Sequence, residues 1–334
     1  MLFIRKPRLP AGIGPVLSFF LLCFVFLLTA AIILNPVQAS DDFSALVVVE
    51  DYQEARPQAG LADADLVYEF LVEGGITRFI VGYTSDFPDK IGPIRSLRSY
   101  MVEASLQHDS ILFHAGASEK ALHRLYSGEI INMDELQNDS YFFRHEERSV
   151  PHNIYTGDNY IREAGDRILN SQQSEMTEYE YNSNLRDEIG IDFYEEAKNS
   201  LRDVSEPAKE VVLSFWGRKI SYILDQENEK FKRYYGDNPH RDVQGKIIAP
   251  KNLVIMRAEH SLIDDEGRLD IDLKSAGEAI FLSGGQSYKG SWEYSEDNEK
   301  IEFKNKDDDS DKIILPEGFT WINIIPETAD IKIE

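Results

Sequence analysis

Apolar residues occur along this chain first as one unbroken run and then as short bursts separated by polar turns. From Leu9 to Ser40 no side chain is charged, and the stretch centres on SFFLLCFVFLLTAAIIL. Arg5, Lys6 and Arg8 precede it. Positive charge before an apolar run directs the chain beyond the run to the outer face of a membrane. Val16–Leu34 is long enough to span a bilayer as a retained anchor. Alternatively, Val37-Gln38-Ala39 before Ser40 reads as a small-residue cleavage site, making residues 1–39 a signal peptide. Both readings export the rest of the chain. Leu22 before Cys23 lacks the small residue that a lipid-attachment site wants.

Beyond this segment the pattern predicts strands alternating with amphipathic helices over 45–170. Leu46–Val49 reads as a strand. Leu66–Val72 and Thr77–Tyr83 read as a hairpin closed by Gly74-Gly75. That register sets Arg78 opposite Leu71, with Glu69 and Glu73 diagonal to it on one face as ion-pair partners. Leu97, Tyr100, Met101 and Ala104 recur at helical spacing. Ser110–His114 reads as a strand running into a helix capped by Ser118 and ending near Gly128. Residues 171–209 are polar and connecting. From 210 to 330 the bursts VVLSF, ISYIL, LVIMR, AIFLS, IEFKN, KIILP and TWINII predict strands. The fold expected is therefore an α/β or α+β N-terminal domain, a mixed sheet with flanking helices, followed by a smaller, mainly antiparallel β domain.

Charge narrows the function. The 334 residues carry 59 acids against 35 bases, a net charge of −24, and all three bases of the first 39 residues lie before the apolar run. So acidic a chain is ill suited to gripping nucleic acid over a broad surface, and no nucleic-acid partner is expected. The one cysteine lies inside the apolar run, which excludes disulfides and thiol chemistry from the remainder.

Against this background the arginines of Pro93-Ile94-Arg95-Ser96-Leu97-Arg98-Ser99 stand out. Read as the first turns of a helix, Arg95 and Arg98 share a face, and cations there are costly unless something negative is bound. Arg95, Ser96, Arg98 and Ser99 would suit a phosphate or carboxylate. The loop Ala115-Gly116-Ala117-Ser118 offers Gly116 and Ser118 as further anion contacts, and His152-Asn153 in a proline-started turn could orient a ligand. The competing expectation is that both arginines pair with the plentiful acids. His108 and His114, six apart, give thin support for a metal pair. Asn238–Asp242 forms a compact polar turn. Asp307–Asp311 alternates carboxylates like a calcium loop but lacks its glycine and glutamate, and reads as a solvated hairpin tip. No GxSxG, HExxH or GxGxxG pattern occurs.

Six ordered motifs carry a family likeness. They are Ala55–Leu61 (ARPQAGL), Ala64–Glu69 (ADLVYE), Glu73–Phe79 (EGGITRF), Gly92–Arg98 (GPIRSLR), His114–Ser118 (HAGAS) and Pro151–Asn153 (PHN). With Tyr234, Asn238–Asp242, Asn252–Val254 and Gly318–Trp321, they resemble the YerB-like family of bacterial envelope proteins of unknown function over about 45–330. That resemblance implies a two-domain extracytoplasmic protein and supplies no activity. No lipobox is present, so a lipid anchor is not carried over.

The function expected is a non-catalytic envelope module that binds an anionic small molecule, an envelope polymer or a protein partner through its N-terminal domain. It would touch the membrane through the N-terminal segment if uncleaved, and no cofactor is expected. Two alternatives stay open. The order of elements is weakly similar to the LytR-CpsA-Psr phosphotransferases, in which case Arg95 and Arg98 would hold pyrophosphate and Asp65 or Glu73 a divalent metal. The other is a purely structural interaction protein.

Overall fold

The structure, a computed structural model, describes residues 44–128, 130–172, 192–193, 206–297, 299–305 and 313–334. The N-terminal apolar segment, most of the connecting segment and Asp307–Asp311 lie outside them. Among the described residues no helix is long and apolar enough to cross a membrane.

The N-terminal half gives the large sheet five strands, β1 (Ser44–Glu50), β2 (Leu66–Leu71), β3 (Thr77–Tyr83), β4 (Ser110–His114) and β5 (Asn132–Asp134). Three helices accompany them, α1 (Ser99–Ser105), α2 (Glu119–Leu125) and α3 (Asp158–Gln172). The C-terminal half contributes β6 (Glu210–Phe215), β7 (Arg218–Asp225), β8 (Lys230–Tyr235), β9 (Asn252–Ala258), β10 (Ala276–Ser283), β11 (Gln286–Ser295), β12 (Lys300–Asn305), β13 (Thr320–Pro326) and β14 (Asp330–Ile333).

Two sheets result. The larger has the order β12-β11-β10-β9-β13-β2-β3-β1-β4-β5, with Glu206–Pro207 added to β11 as an eleventh strand. Strand β13 runs parallel to both of its neighbours, β9 and β2. Strands β1, β4 and β5 are also mutually parallel, while β3 is antiparallel to β1 and β2. Strands β1, β2, β3 and β13 are buried along their whole length, as strands covered on both faces are. The smaller sheet, β8-β7-β6-β14 with Asn238–Pro239 at its edge, is antiparallel. Strand β6 alternates buried and half-buried residues, which marks a sheet with one covered face.

The mixed sheet agrees with the expectation from the pattern, with few helices beside it. The C-terminal half departs from it, because β9–β13 belong to the large sheet and two of their pairings are parallel. Apolar runs predict strands but not their partners, so the insertion of β13 between β9 and β2 was invisible in the sequence. From Asp42 to Glu334 the chain packs as one compact unit.

The hairpin register also differs. A three-residue turn, Glu73–Gly75, closes it in place of two glycines, with Gly74 and Gly75 both at positive φ. Arg78 therefore stands opposite Phe70, and Glu69 opposite Phe79 on the other face. A slip of one residue changes which side of the sheet each side chain serves.

Candidate anion-binding site

The carboxyl ends of the parallel strands β1, β4 and β5 present Glu50, His114 and Asp134 along one end of the large sheet. Loops at such strand ends are the usual place for ligands in α/β sheets. Here the segment 93–98 is laid across them. Glu50 N donates to Pro93 O (2.9 Å), Arg95 N to Val48 O (3.0 Å) and Leu97 N to Gly116 O (3.0 Å). Ile94 and Leu97 are fully buried and anchor this strap.

The strap is extended, and α1 begins only at Ser99, with Arg98 as its N-cap. Arg95 and Arg98 thus do not share a helical face, because Ile94 and Leu97 spend their backbone groups on neighbouring strands and loops. Arg95 pairs with Glu50 (Nη2–Oε1 2.8 Å). Arg98 forms a two-pronged bond to Glu73 (2.6 and 3.0 Å), the strongest ion-pair geometry for a guanidinium. Burial would raise the Glu73 carboxyl, but its bond to Arg98 leaves it below the usual range. His152 Nδ1 lies 2.8 Å from Glu50 Oε2, and the Tyr52 ring stacks on that imidazole at 5.8 Å.

Arg78 completes the group. It stands directly opposite Glu50 across β1 and β3, yet among the described residues no carboxylate lies within ion-pair distance of it. The residue is only 7% exposed; its Nη1 donates to Ser96 O, and its Nε has no partner. Burial, and then Arg98, push the guanidinium down to about 10. Three guanidiniums thus share two carboxylates, Glu50 and Glu73, in a chain that is otherwise strongly acidic.

The other residues singled out in the sequence are used internally. Ser96 Oγ donates to Ala115 O (2.8 Å), and Gly116 N–H donates to Asp134 (2.8 Å) rather than facing outward. Ser118 caps α2 by accepting from Ala121 N, and Asn153 accepts from Arg144 (3.2 Å). Ser99 lines a separate cleft of about 360 Å³ with Glu103, Lys120, Arg124, Asp270 and Lys274. Its charges pair with one another: Lys120 with Asp270, and both Arg124 and Lys274 with Glu103. Asp65 and Glu73 flank opposite ends of β2, roughly 20 Å apart at the rise of a strand, so one ion would meet at most one of them. His108 bonds Tyr68 (3.0 Å), whereas His114 turns to Gly116 O and Asn132.

Sequence reasoning missed Glu50 and set Arg78 aside as an ion-paired strand residue. The signal for Glu50 was a lone acid ending the apolar run ALVVVE; for Arg78, it was the true turn length.

A second cluster lies on the opposite face of the same strands. Arg233 on β8, fully buried, donates to both carboxylate oxygens of Glu69 on β2 (2.7 and 2.9 Å). Tyr235, Trp321, Phe79 and Tyr222 surround its guanidinium at 4.4–5.9 Å. Trp321 Nε1 donates to Glu69 (2.9 Å), and His240 links Arg233 to Gln58. Asp51 accepts from Arg56 (2.9 Å), Thr77 (2.7 Å), Arg218 (3.0 Å) and Tyr235.

Family motifs from the two halves meet at this cluster: Gln58 and Glu69 from one, His240 and Trp321 from the other. Residues 34–170 match the N-terminal domain of a protein family of unknown function, DUF3048, and residues 211–322 match its C-terminal domain. The chain belongs to this family. It is 32% identical over 292 residues to YerB of Bacillus subtilis (strain 168), a candidate lipoprotein, covering 84% of this chain and 80% of that one. The crystal structure of YerB from Bacillus subtilis superposes with a TM-score of 0.71 at 30% identity, covering 89% of this chain and 97% of that chain. The DUF3048 halves therefore share both a sheet and a buried polar core.

Proposed function

We propose that this DUF3048 protein is a non-catalytic extracytoplasmic module that binds an anionic ligand at the Arg78–Arg95–Arg98 cluster. Its similarity to a candidate lipoprotein and the charge-flanked apolar run at its N-terminus support a place at the outer face of the cytoplasmic membrane. The observation that carries the binding reading is Arg78. A buried cation without a carboxylate is costly to keep, and a bound anion would offset that cost. Arg95 and Arg98, with His152 beside them, flank it as partly exposed groups whose partners, Glu50 and Glu73, a stronger anion can displace.

Thermal unfolding of the purified full-length protein against phosphate, pyrophosphate and small dicarboxylates tests this reading, with Arg95→Ala/Arg98→Ala alongside. A ligand at a hundred times its dissociation constant stabilises by about 2.7 kcal/mol, a visible shift. A shift in the wild type that vanishes in a folded double variant supports the site. If the double variant shifts equally, the anion binds elsewhere; if nothing shifts the wild type, the arginines are structural.

A further inference from the structure

Arg148, like Arg78, meets no carboxylate among the described residues. Its guanidinium donates only to backbone carbonyls, of Glu54 (3.1 Å), Arg56 (3.3 Å) and Pro57 (2.6 Å). It lies in the same loop as His152, whose backbone N–H closes the turn back to Ser149. Linked by bonds or by sequence, the series runs Arg98, Arg95 bonded to Glu50, His152 on the other oxygen of Glu50, and Arg148 four residues before His152, with Arg78 opposite Glu50 on β3. In the extended strap Arg95 and Arg98 are separated by roughly 10 Å of chain at 3.3 Å per residue. One phosphate group does not span that row. Beside His152 the Tyr52 ring, stacked on the imidazole and 40% exposed, offers an apolar floor rather than another charge.

We infer that the ligand is a linear polyanion, a chain of repeated phosphate or carboxylate groups, lying along Arg98, Arg95, His152 and Arg148 with its uncharged linkages over Tyr52. The inference rests on the anion-binding reading and extends it. Separated basic groups beside an uncharged surface match a repeating charge, whereas a single anion would be met by convergent groups. The rest of a chain with net charge −24 repels a polyanion, so binding is confined to the row. Such binding releases counterions and weakens steeply with salt.

Calorimetric titration of the full-length protein with inorganic phosphate, long linear polyphosphate and polygalacturonate tests the inference. A polymer should bind at least about tenfold more tightly than phosphate through repeated contacts, and the better of the two polymers identifies the repeating group. Arg148→Ala should leave phosphate affinity as it is and lower polymer affinity several-fold, with the salt slope falling by about one. Arg148→Lys, which keeps the charge, should retain most of the polymer affinity. If phosphate binds as tightly as both polymers, the extended ligand is overturned while the anion site stands. If neither phosphate nor polymer binds, the anion-binding reading fails with it.

Discussion

Arg233 and Glu69 meet head-on in the interior, 2.7 Å apart, one from each half of the chain and neither reachable by water. Removing one partner leaves the other as an uncompensated buried charge. Arg233→Ala is therefore expected to cost about 3–5 kcal/mol, measured by urea unfolding. The double change Arg233→Met/Glu69→Leu, which removes both charges and keeps the volume, should cost much less. If the double variant is as unstable as the single one, packing rather than charge explains the loss.

Acid should destabilise the fold in two stages. Burial, and then Arg233, hold the His240 imidazole well below its ordinary 6.5, so the unfolded chain takes up a proton that the folded chain refuses. Stability from this source is present above pH 6.5 and falls as pH drops below it. His260, also lowered by burial, adds to the same limb. Burial alone would raise the Asp51 carboxyl, but Arg56, Arg233 and Arg218 bring it to about 2, against 3.8. Its contribution, about 2 kcal/mol, is present above pH 3.8 and fades as pH falls toward 2. Unfolding free energies measured from pH 7.5 to 3 should decline from about pH 6.5, less steeply in His240→Gln. An unchanged profile in that variant would place the early loss elsewhere.

Arg78 should behave unlike its neighbours. Arg78→Met relieves the desolvation of an unpaired guanidinium and fills the same space, so stability should stay within about 1 kcal/mol of wild type or rise. Anion binding should be lost. A loss of more than about 2 kcal/mol in thermal or urea unfolding would show that the bond to Ser96 O, not a ligand, explains the residue.

Gly92 has φ +148°, and a Cβ there would meet Tyr155 Cδ1 at 2.7 Å and Ile154 O at 2.9 Å. The strap carrying Arg95 and Arg98 starts at this point. Gly92→Ala should cost about 2–4 kcal/mol through overpacking and backbone strain. It should also weaken anion binding by moving the strap; calorimetry on the folded fraction separates the two effects.

Local features were readable in the sequence wherever a local rule governs them. The Ser118 cap, the strand Ser110–His114 and most C-terminal strands stand where periodicity and capping put them. Arg78 and Glu69 show where this stops. Their faces depend on whether the Glu73–Gly75 turn takes two residues or three, a choice that side-chain pattern does not encode. Once that register changes, Glu69 leaves Arg78 for Arg233, a residue 164 positions away. Arg95 and Arg98 illustrate a second limit: their spacing fits a helix, but contacts of Ile94 and Leu97 with distant strands hold the segment straight.

The position of β13 has a consequence in time. It fills the slot between β2, the second strand in sequence among the described residues, and β9, and it is itself the second-to-last. During synthesis, or during passage N-terminus first through a narrow pore, β2 therefore waits with an open edge until nearly the last residue has emerged. The large sheet is completed only when the tail arrives, so a chain stopped just short of Thr320 is left with that sheet in two pieces, not as a slightly shorter protein.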